Sequence, residues 1–337
     1  MSTTGTYAFN PTLAQLIQQS FRDLDIIDAE ETPTAAQFAE AMFLLNSITK
    51  GLEATGIHVW TEQEAILFLQ PGQARYTIGS SGVNDNAPAS DSWLQLALAG
   101  SYTAGAATIA LAIAADVNQG DNIGVVLDSG ATFWTTVAMQ IPAAPALATS
   151  VLLAAPLPSS ASLGNVVLDF APAAQIVRPL KIPSMRLFTF SSQTEIPMTV
   201  LSRQGYMDLP NKGPQAGVTA TPGAQGIPTQ FYYSPQQGLG WVYIWPVPVL
   251  SNWACRMTWY RPIQDWANPA NTMDFPQEWS APLRWMLSDE LKLGYSIPPA
   301  RAEMITAKAA DWLTTVSGWD RDSEPVQFGI DNQFRGR

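Results

Sequence analysis

The sequence has very little cysteine, histidine or charge. One cysteine, Cys255, and one histidine, His58, occur among 337 residues. A single cysteine cannot form an internal disulfide, and the Cys/His spacing of a zinc site is absent. Charged residues make up 13% of the chain, against about 25% in typical soluble domains. We therefore expect many neutral surfaces, as in a subunit that buries them against its neighbours in a reducing compartment.

Signals for catalysis are also missing. His58 stands beside a strand pattern, and no serine or cysteine lies in a recognisable nucleophile motif, so no catalytic triad is predicted. The chain has no Walker loop or dinucleotide fingerprint, because Gly238 and Gly240 open a strand rather than a helix. These absences predict a protein that is not an enzyme and that carries no cofactor and no metal.

Paired acids are the one feature that suggests a glycosidase, whose two carboxylates must lie roughly 5 to 10 Å apart. Asp23 with Asp25 and Asp289 with Glu290 are examples. All of them fall on polar faces or at ends of predicted helices, where solvated charge is the commoner explanation. An enzyme such as a cell-wall glycosidase is therefore the third hypothesis for this chain.

The charge balance restricts the partners. With 28 acidic and 17 basic residues, the net charge is −11, so the chain should repel a phosphate backbone and is not expected to read nucleic-acid sequence. Residues 1–5 are polar, and no secretory signal is expected from them. Residues 93–115 are uncharged over roughly a membrane-spanning length, but Gly100 and Gly105 interrupt them. No membrane association is predicted.

A long segment without positive charge marks the middle of the chain. Between Arg75 and Arg178 there is no lysine or arginine, and the only charges in those 102 residues are six aspartates. The segment is rich in Ala, Gly, Ser, Thr and Val, with short alternating runs typical of strands. We interpret residues 80–171 as an inserted small β-barrel or β-sandwich domain.

Helical periodicity appears at both ends of the chain. It predicts helices near residues 11–24 and 34–56, forming an antiparallel hairpin, and near 277–295 and 298–318. The predicted fold class is therefore α+β, with a helical bundle built from the N-terminal hairpin and the C-terminal helix pair, a β-rich core and the β insert. The predicted segments are a first core segment (1–79), the insert (80–171), a second core segment (172–318) and a docking tail (319–337).

The order of short motifs resembles the head-to-tail adaptor proteins of tailed bacteriophages, including the tail tubular and packaged-DNA-stabilisation proteins of short-tailed phages. The first motifs are Leu201-Ser202-Arg203-Gln204-Gly205-Tyr206 and Leu209-Pro210-Asn211-Lys212; then follow Trp245-Pro246-Val247-Pro248, Tyr260-Arg261-Pro262-Ile263 and Phe275-Pro276-Gln277-Glu278-Trp279. The residues that carry the resemblance are Tyr206, Pro210, Lys212, Pro246, Pro248, Pro262, Pro276, Glu278 and Trp279. Gly205 departs from the polar residue expected there.

The resemblance implies a structural virion protein in the neck of the particle, assembled in the bacterial cytoplasm. It implies a dodecameric ring that binds the portal on one face and tail or nozzle proteins on the other. Double-stranded DNA would pass through the ring without sequence recognition, so the ring retains packaged DNA and allows its ejection. The capsid is a further candidate partner, through the insert. Isolated apolar residues of the tail, Phe328, Ile330 and Phe334, are the expected interface with the portal or a neighbouring subunit.

The second hypothesis is a receptor- or carbohydrate-binding tail component. Nine of the twelve tryptophans lie between Trp241 and Trp319, and aromatic rings stack on sugars. Several of these tryptophans fall in predicted helices and strands, where core packing is the commoner role. Glycan binding that is lost on changing Trp241 or Trp253 would favour this hypothesis.

Overall fold

The computed structural model describes residues 9–56, 59–79, 86–212 and 224–319. The helices are α1 (Leu13–Asp23), α2 (Ala35–Thr55), α3 (Arg203–Met207), α4 (Ser280–Leu291) and α5 (Pro299–Trp319), with 3-10 turns at Val59–Thr61, Pro172–Ala174 and Gln277–Trp279. The first eight strands are β1 (Glu62–Phe68), β2 (Arg75–Gly79), β3 (Leu94–Ala97), β4 (Thr108–Ala115), β5 (Asn122–Val126), β6 (Thr132–Ile141), β7 (Ala148–Leu153) and β8 (Val166–Phe170). The others are β9 (Lys181–Thr189), β10 (Thr194–Pro197), β11 (Thr199–Val200), β12 (Gln225–Gly226), β13 (Gln230–Pro235), β14 (Leu239–Trp245), β15 (Val247–Pro248) and β16 (Trp253–Tyr260).

The predicted fold class, an α+β protein led by a helical bundle, is wrong. Strands account for 34% of the structure and helices for 27%, and the strands form four sheets that include a nearly closed six-stranded barrel. The N-terminal hairpin bundle is absent from the described residues, because α1 and α2 both pack mainly against α4 rather than against each other. An apolar helix stripe fits any apolar partner, and here the C-terminal helix α4 provides it. The protein is a mixed α/β fold rich in strands.

The chain divides into two compact units. The terminal unit combines Met1–Thr61 with Ile263–Arg337, and the central unit is Glu62–Pro262. The barrel, whose strands span residues 94–170, belongs to the central unit together with the other sheets. The finer division into four segments stays a prediction.

The helices of the terminal unit begin at well-formed caps. Thr12 accepts a hydrogen bond from the backbone N–H of Gln15, and the Gln15 side chain accepts one from the N–H of Thr12. Thr34 and Gln37 repeat this reciprocal arrangement at the start of α2. Because each pair satisfies donors that a helix N-terminus leaves free, the caps define where both helices start. Gly56, in the left-handed region at φ 82°, ends α2.

One core holds the terminal unit together. Leu16 on α1, Leu45 on α2, Leu287 on α4 and Ile305 on α5 are at most 4% exposed and belong to it. The loop after residue 262 closes this core, and Asn46 ties the loop to α2. Its side-chain amide donates to the carbonyl of Trp266 and accepts from the Trp266 N–H, both at 3.0 Å.

The central unit contains a sandwich of two antiparallel-rich sheets. One sheet has the strand order β1-β16-β9-β10, and the other has β11-β13-β14-β2. Alternate residues of both sheets face a shared core, as the period of two in a strand requires. Leu67 and Met257 of the first sheet and Tyr76 and Val242 of the second are buried there. Cys255 lies in the same core, where burial raises the pKa of its thiol.

The six-stranded sheet has the order β3-β8-β5-β6-β7-β4 and nearly closes on itself. Its two edges meet at a bridge between Leu98 and Leu111, where the N–H of Ala99 donates to the carbonyl of Ala110 at 2.9 Å. Valines and leucines of alternate positions fill the interior. Near closure removes most of the unpaired strand edge.

The outer face of the barrel packs against the free face of the first sandwich sheet. Phe170 on β8 and Trp134 on β6 pack with Phe68 on β1 in one aromatic cluster, with ring centroids 5.3 to 6.1 Å apart. Trp134 lies across Gly124, its partner on β5, where a Cβ atom would come within 2.8 Å of the indole ring. Glycine at residue 124 therefore makes room for the tryptophan.

Candidate functional site

The motif residues of the central unit form an aromatic cluster. Tyr206 on α3 is fully buried, with its ring centroid 5.0 Å from that of Tyr243 and 5.9 Å from that of Tyr232. The Lys212 ammonium lies 5.7 Å from the Tyr206 ring centroid, within cation–π range. Burial, with a further contribution from Tyr243, raises the pKa of Tyr206 to about 12. The phenol therefore stays neutral, and the cluster serves packing.

The motif prolines shape the chain around this cluster. The carbonyl of Pro210 accepts a hydrogen bond from the Trp245 indole at 3.3 Å, and the Trp245–Pro246 peptide bond is cis. Pro248 pairs with Gly226 in the short parallel sheet of β12 and β15. Pro262 is the last residue of the central unit. None of these prolines brings a reactive group to a surface.

The remaining motif residues lie in the core of the terminal unit. Trp279 is fully buried, and its ring centroid lies 5.0 Å from that of Trp60 and 5.5 Å from that of Phe275. Pro276 precedes the 3-10 turn and its carbonyl accepts the Trp279 N–H at 2.9 Å. Glu278 supplies a negative charge to this first turn. Tyr206 of the central unit and Trp279 of the terminal unit thus each lie in a packed aromatic cluster of their own unit.

Trp241 and Trp253 are the residues on which the carbohydrate-binding hypothesis depends. Trp253 is 8% exposed, and the Arg75 guanidinium covers the Trp241 ring at 4.9 Å. Trp253 is therefore buried, and one face of the Trp241 ring is occupied. His58 and the tail residues Phe328, Ile330 and Phe334 lie outside the described residues, so their predicted roles stay predictions.

The acids of the terminal unit are engaged with basic groups. Asp23 binds Arg284 through two hydrogen bonds, one of them at 2.5 Å, and Asp25 pairs with Arg301 at 2.5 Å. Asp289 pairs with Lys292. Within the described ranges, no group of three or more His, Cys, Asp or Glu side chains is placed to hold a metal ion. Asp23, Asp25 and Asp289 are therefore each engaged in an ion pair.

Most of the positive charges in the described regions of the chain are already occupied by internal partners. Arg186 and Arg256, on the two inner strands of the first sheet, share Glu195 on the outer strand β10, and Arg186 also pairs with Glu64 on the outer strand β1. Lys50 pairs with Glu53 and Asp265, and the Lys308 ammonium lies 4.5 Å from the Trp285 ring centroid. Cations that are paired in this way are poorly available to phosphates.

A buried carboxyl in the barrel was not predicted. Asp169 on β8 is 2% exposed, and its Oδ1 has no hydrogen-bond partner in the regions that the structure describes. It lies opposite Ile123 on β5, and Asp121 is two residues before Ile123, so both carboxyls face the barrel interior. Burial, and then the charges of Asp121 and Asp116, raise the pKa of Asp169 to about 8. In the sequence, Asp169 lies two positions after Val167, so alternation along a strand places both side chains on the same face. That spacing could have indicated a buried carboxyl.

Several large apolar side chains of the terminal unit are exposed. Phe43 on α2 is 72% exposed, Leu293 after α4 is 79% exposed, and Trp312 on α5 is 38% exposed. Helix α5 buries only a narrow stripe, in which Ile305 and Val316 are the largest buried side chains. Most of this 21-residue helix is therefore exposed to solvent.

Two grooves lie beside these helices. The larger, of about 660 Å³, lies between α1 and the start of α4 and is lined mainly by polar side chains, including Gln15, Gln18 and Arg22. The smaller, of about 310 Å³, runs along α5. Among the described residues, no helix combines the length and the apolar character that crossing a membrane requires. The sequence matches no model of a protein family and no curated protein.

Proposed function

We propose that this protein is the subunit of a head-to-tail adaptor ring, which joins a phage portal to the tail and forms part of the DNA channel. The observation that carries the proposal is that the terminal unit leaves Phe43, Leu293 and Trp312 exposed to solvent. Leaving large apolar side chains in water is unfavourable unless a partner covers them. The resemblance of the motifs to those of adaptor proteins indicates that the partners are further copies of the chain, the portal and tail proteins.

Charge supports the passage of DNA through such a ring. The net charge of −11 and the internal pairing of most described cations leave few groups that can neutralise phosphates. A channel of this composition lets double-stranded DNA slide without sequence recognition, because affinity for DNA comes largely from released counterions. The proposed partners are further copies in a dodecameric ring, the portal, and tail or nozzle proteins, with the capsid reached through the barrel.

Electron microscopy of the purified protein, alone and mixed with the portal protein of the same phage, tests the proposal. We expect closed rings that sit on the portal with their axes aligned. A protein that stays monomeric and never associates with portal assemblies contradicts it. The matched control is the same mixture with an unrelated portal, which should give no such particles.

The tail carries a separate prediction. Deleting residues 323–337 removes Phe328, Ile330 and Phe334, and we expect portal binding to weaken by roughly tenfold or more, since a few apolar anchors usually dominate an interface. Binding is measured by surface plasmon resonance on immobilised portal. A full-length protein with Phe328→Ala and Phe334→Ala controls for the loss of chain length. Unchanged binding of both proteins would rule out a docking role for the tail.

A further inference from the structure

One end of the barrel concentrates negative charge. Asp116 and Asp121 lie on the connection between β4 and β5, and Asp169 lies near the end of β8, which pairs with the start of β5. The charges of Asp121 and Asp116 both act on Asp169. No lysine or arginine occurs between Arg75 and Arg178, so the barrel has no basic side chain of its own to balance these three carboxyls.

Asp169 is the most deeply buried of the three. It is 2% exposed, and its Oδ1 atom has no hydrogen-bond partner among the described residues. It pairs with Ile123 on β5, whose side chain lies in the barrel interior. Asp121, 6% exposed, lies two residues before Ile123, so it is the diagonal neighbour of Asp169 on the interior face. A buried oxygen without a partner thus shares this face with a second buried carboxyl.

The connection between β4 and β5 adds a neutral oxygen and a route for entry. The Asn118 N–H donates to Asp121 Oδ2 at 2.7 Å, and Asn118 Nδ2 donates to Asp116 Oδ1 at 3.1 Å. The side-chain carbonyl oxygen of Asn118 therefore lies in the same loop as the buried Asp121. Asp116 and Asn118 are exposed, so a small ion can approach the buried pair from this loop.

Oxygen ligands of this kind suit a hard divalent cation. Ca²⁺ binds about six to eight oxygens from carboxylates, amide carbonyls, backbone carbonyls and water, and it tolerates irregular geometry, whereas Mg²⁺ requires a nearly ideal octahedron. Neither cysteine nor histidine is needed for such a site. In the described parts of the chain, no three acidic side chains are placed around one ion. Two carboxylates and neutral oxygens are therefore the ligand set that the barrel offers.

We propose that Asp121 and Asp169 bind one calcium ion at this end of the barrel, with the Asn118 side-chain oxygen and water as further ligands. The ion balances the negative charge and joins the start of β5 to the end of β8. With only two carboxylates the site is weak, with a Kd on the order of 1 mM. The inference concerns the barrel alone and does not depend on the adaptor proposal.

Hydrogen exchange of the full-length protein tests the site. Peptides from β5 and β8 are followed at pH 7.5 in EDTA and then in CaCl₂. At a calcium concentration about ten times the Kd, we expect their exchange to slow by roughly tenfold, because an ion that binds only the folded barrel suppresses its opening in proportion to the occupied fraction. NaCl at the same ionic strength is the control for screening of charge.

Three variants assign the effect to the buried pair. Asp169→Asn keeps the shape of the side chain and removes its charge, so without calcium its barrel should be at least as stable as that of the wild type. Asp169→Asn and Asp121→Asn should each lose most of the slowing by calcium. Asp128→Asn is the matched control, because Asp128 lies elsewhere in the barrel and is held by Asn165 and Ser162. It should respond to calcium like the wild type.

Isothermal titration calorimetry provides a second measurement. We expect one calcium site in the wild type and in Asp128→Asn, and none in Asp169→Asn. Slowing of exchange by NaCl as large as that by CaCl₂ would show screening only and would overturn the site. Full calcium protection of either Asp169→Asn or Asp121→Asn would also overturn it, as would a wild type whose exchange does not respond to calcium.

Discussion

Replacing Asp169 by asparagine is expected to stabilise the barrel at pH 8.5 and to flatten its dependence on pH. The carboxyl is 2% exposed, and its pKa rises from 3.8 to about 8 because burial and then Asp121 and Asp116 disfavour the charged form. Between these two pKa values the folded state binds more protons than the unfolded state, so the free energy of unfolding falls as pH rises.

The sign and size of the effect follow from this window. Below about pH 4 the Asp169 carboxyl is protonated in both the folded and the unfolded state, so its burial carries no cost of charge. Above about pH 8 the buried carboxylate is charged, and the full cost is subtracted from the free energy of unfolding. A shift from 3.8 to about 8 corresponds to at most about 6 kcal/mol. The asparagine side chain has the same shape as the aspartate it replaces and no charge, so Asp169→Asn should be more stable than the wild type at pH 8.5. The two proteins should converge toward pH 4.

Hydrogen exchange of peptides from β5 and β8, measured between pH 5 and 9 and corrected for intrinsic rates, isolates the barrel from the rest of the chain. Asp128→Asn is the matched control. Asp128 accepts hydrogen bonds from Asn165, Ser160 and Ser162, which lower its pKa. The stability that the Asp128 carboxylate contributes is therefore lost only in acid. From pH 5 to 9 the stability of the barrel in Asp128→Asn should change with pH in the same way as in the wild type. Equal slopes for Asp169→Asn and the wild type would contradict the assignment.

This carboxyl pair shows what the sequence can and cannot predict. The position of Asp169 in a strand phase shared with Val167 can be read from the sequence. Its neighbour cannot, because the pairing of Asp169 with Ile123 joins strands more than 40 residues apart. Strand alternation gives the face of each residue but not the register between distant strands.

The same limit explains the error in the helical region of the fold. Leu16 of α1 and Leu45 of α2 belong to the helical periodicity of the sequence, and both are buried. An apolar stripe shows that a helix packs against another apolar surface but not which surface that is. The next helix in the sequence is only the commonest partner. Here Ser20 of α1 donates its hydroxyl hydrogen bond to the carbonyl of Arg284, at 3.1 Å, which fixes α1 on α4. This hydrogen bond joins helices more than 250 residues apart in the chain, a contact that the apolar pattern does not predict.

The motif residues were readable in the sequence, but their clustering was not. Tyr206 and Trp279 lie 73 residues apart in the chain and belong to different compact units. Each of the two residues is fully buried. The resemblance to the adaptor proteins therefore rests partly on buried residues. The exposed residues Phe43 and Leu293 do not belong to any of the motifs.

Replacing Trp279 by alanine is expected to cost about 3 to 5 kcal/mol of the free energy of unfolding of the terminal unit. Trp279 is fully buried against Trp60 and Phe275, so alanine leaves a large cavity in an aromatic cluster. Its indole nitrogen finds no acceptor among the described residues. Trp279→Phe therefore loses volume but no hydrogen bond, and it should cost clearly less than alanine.

Urea denaturation followed by circular dichroism at the helical band measures this loss. All α-helices of the described chain except α3 belong to the terminal unit, so the helical signal reports mainly on it. Trp312→Ala is the matched control, because Trp312 is 38% exposed on α5 and alanine suits a helix. It should change the free energy of unfolding by about 0.5 kcal/mol or less. Equal losses from the two alanine variants would show that the aromatic cluster around Trp279 does not hold the terminal unit together.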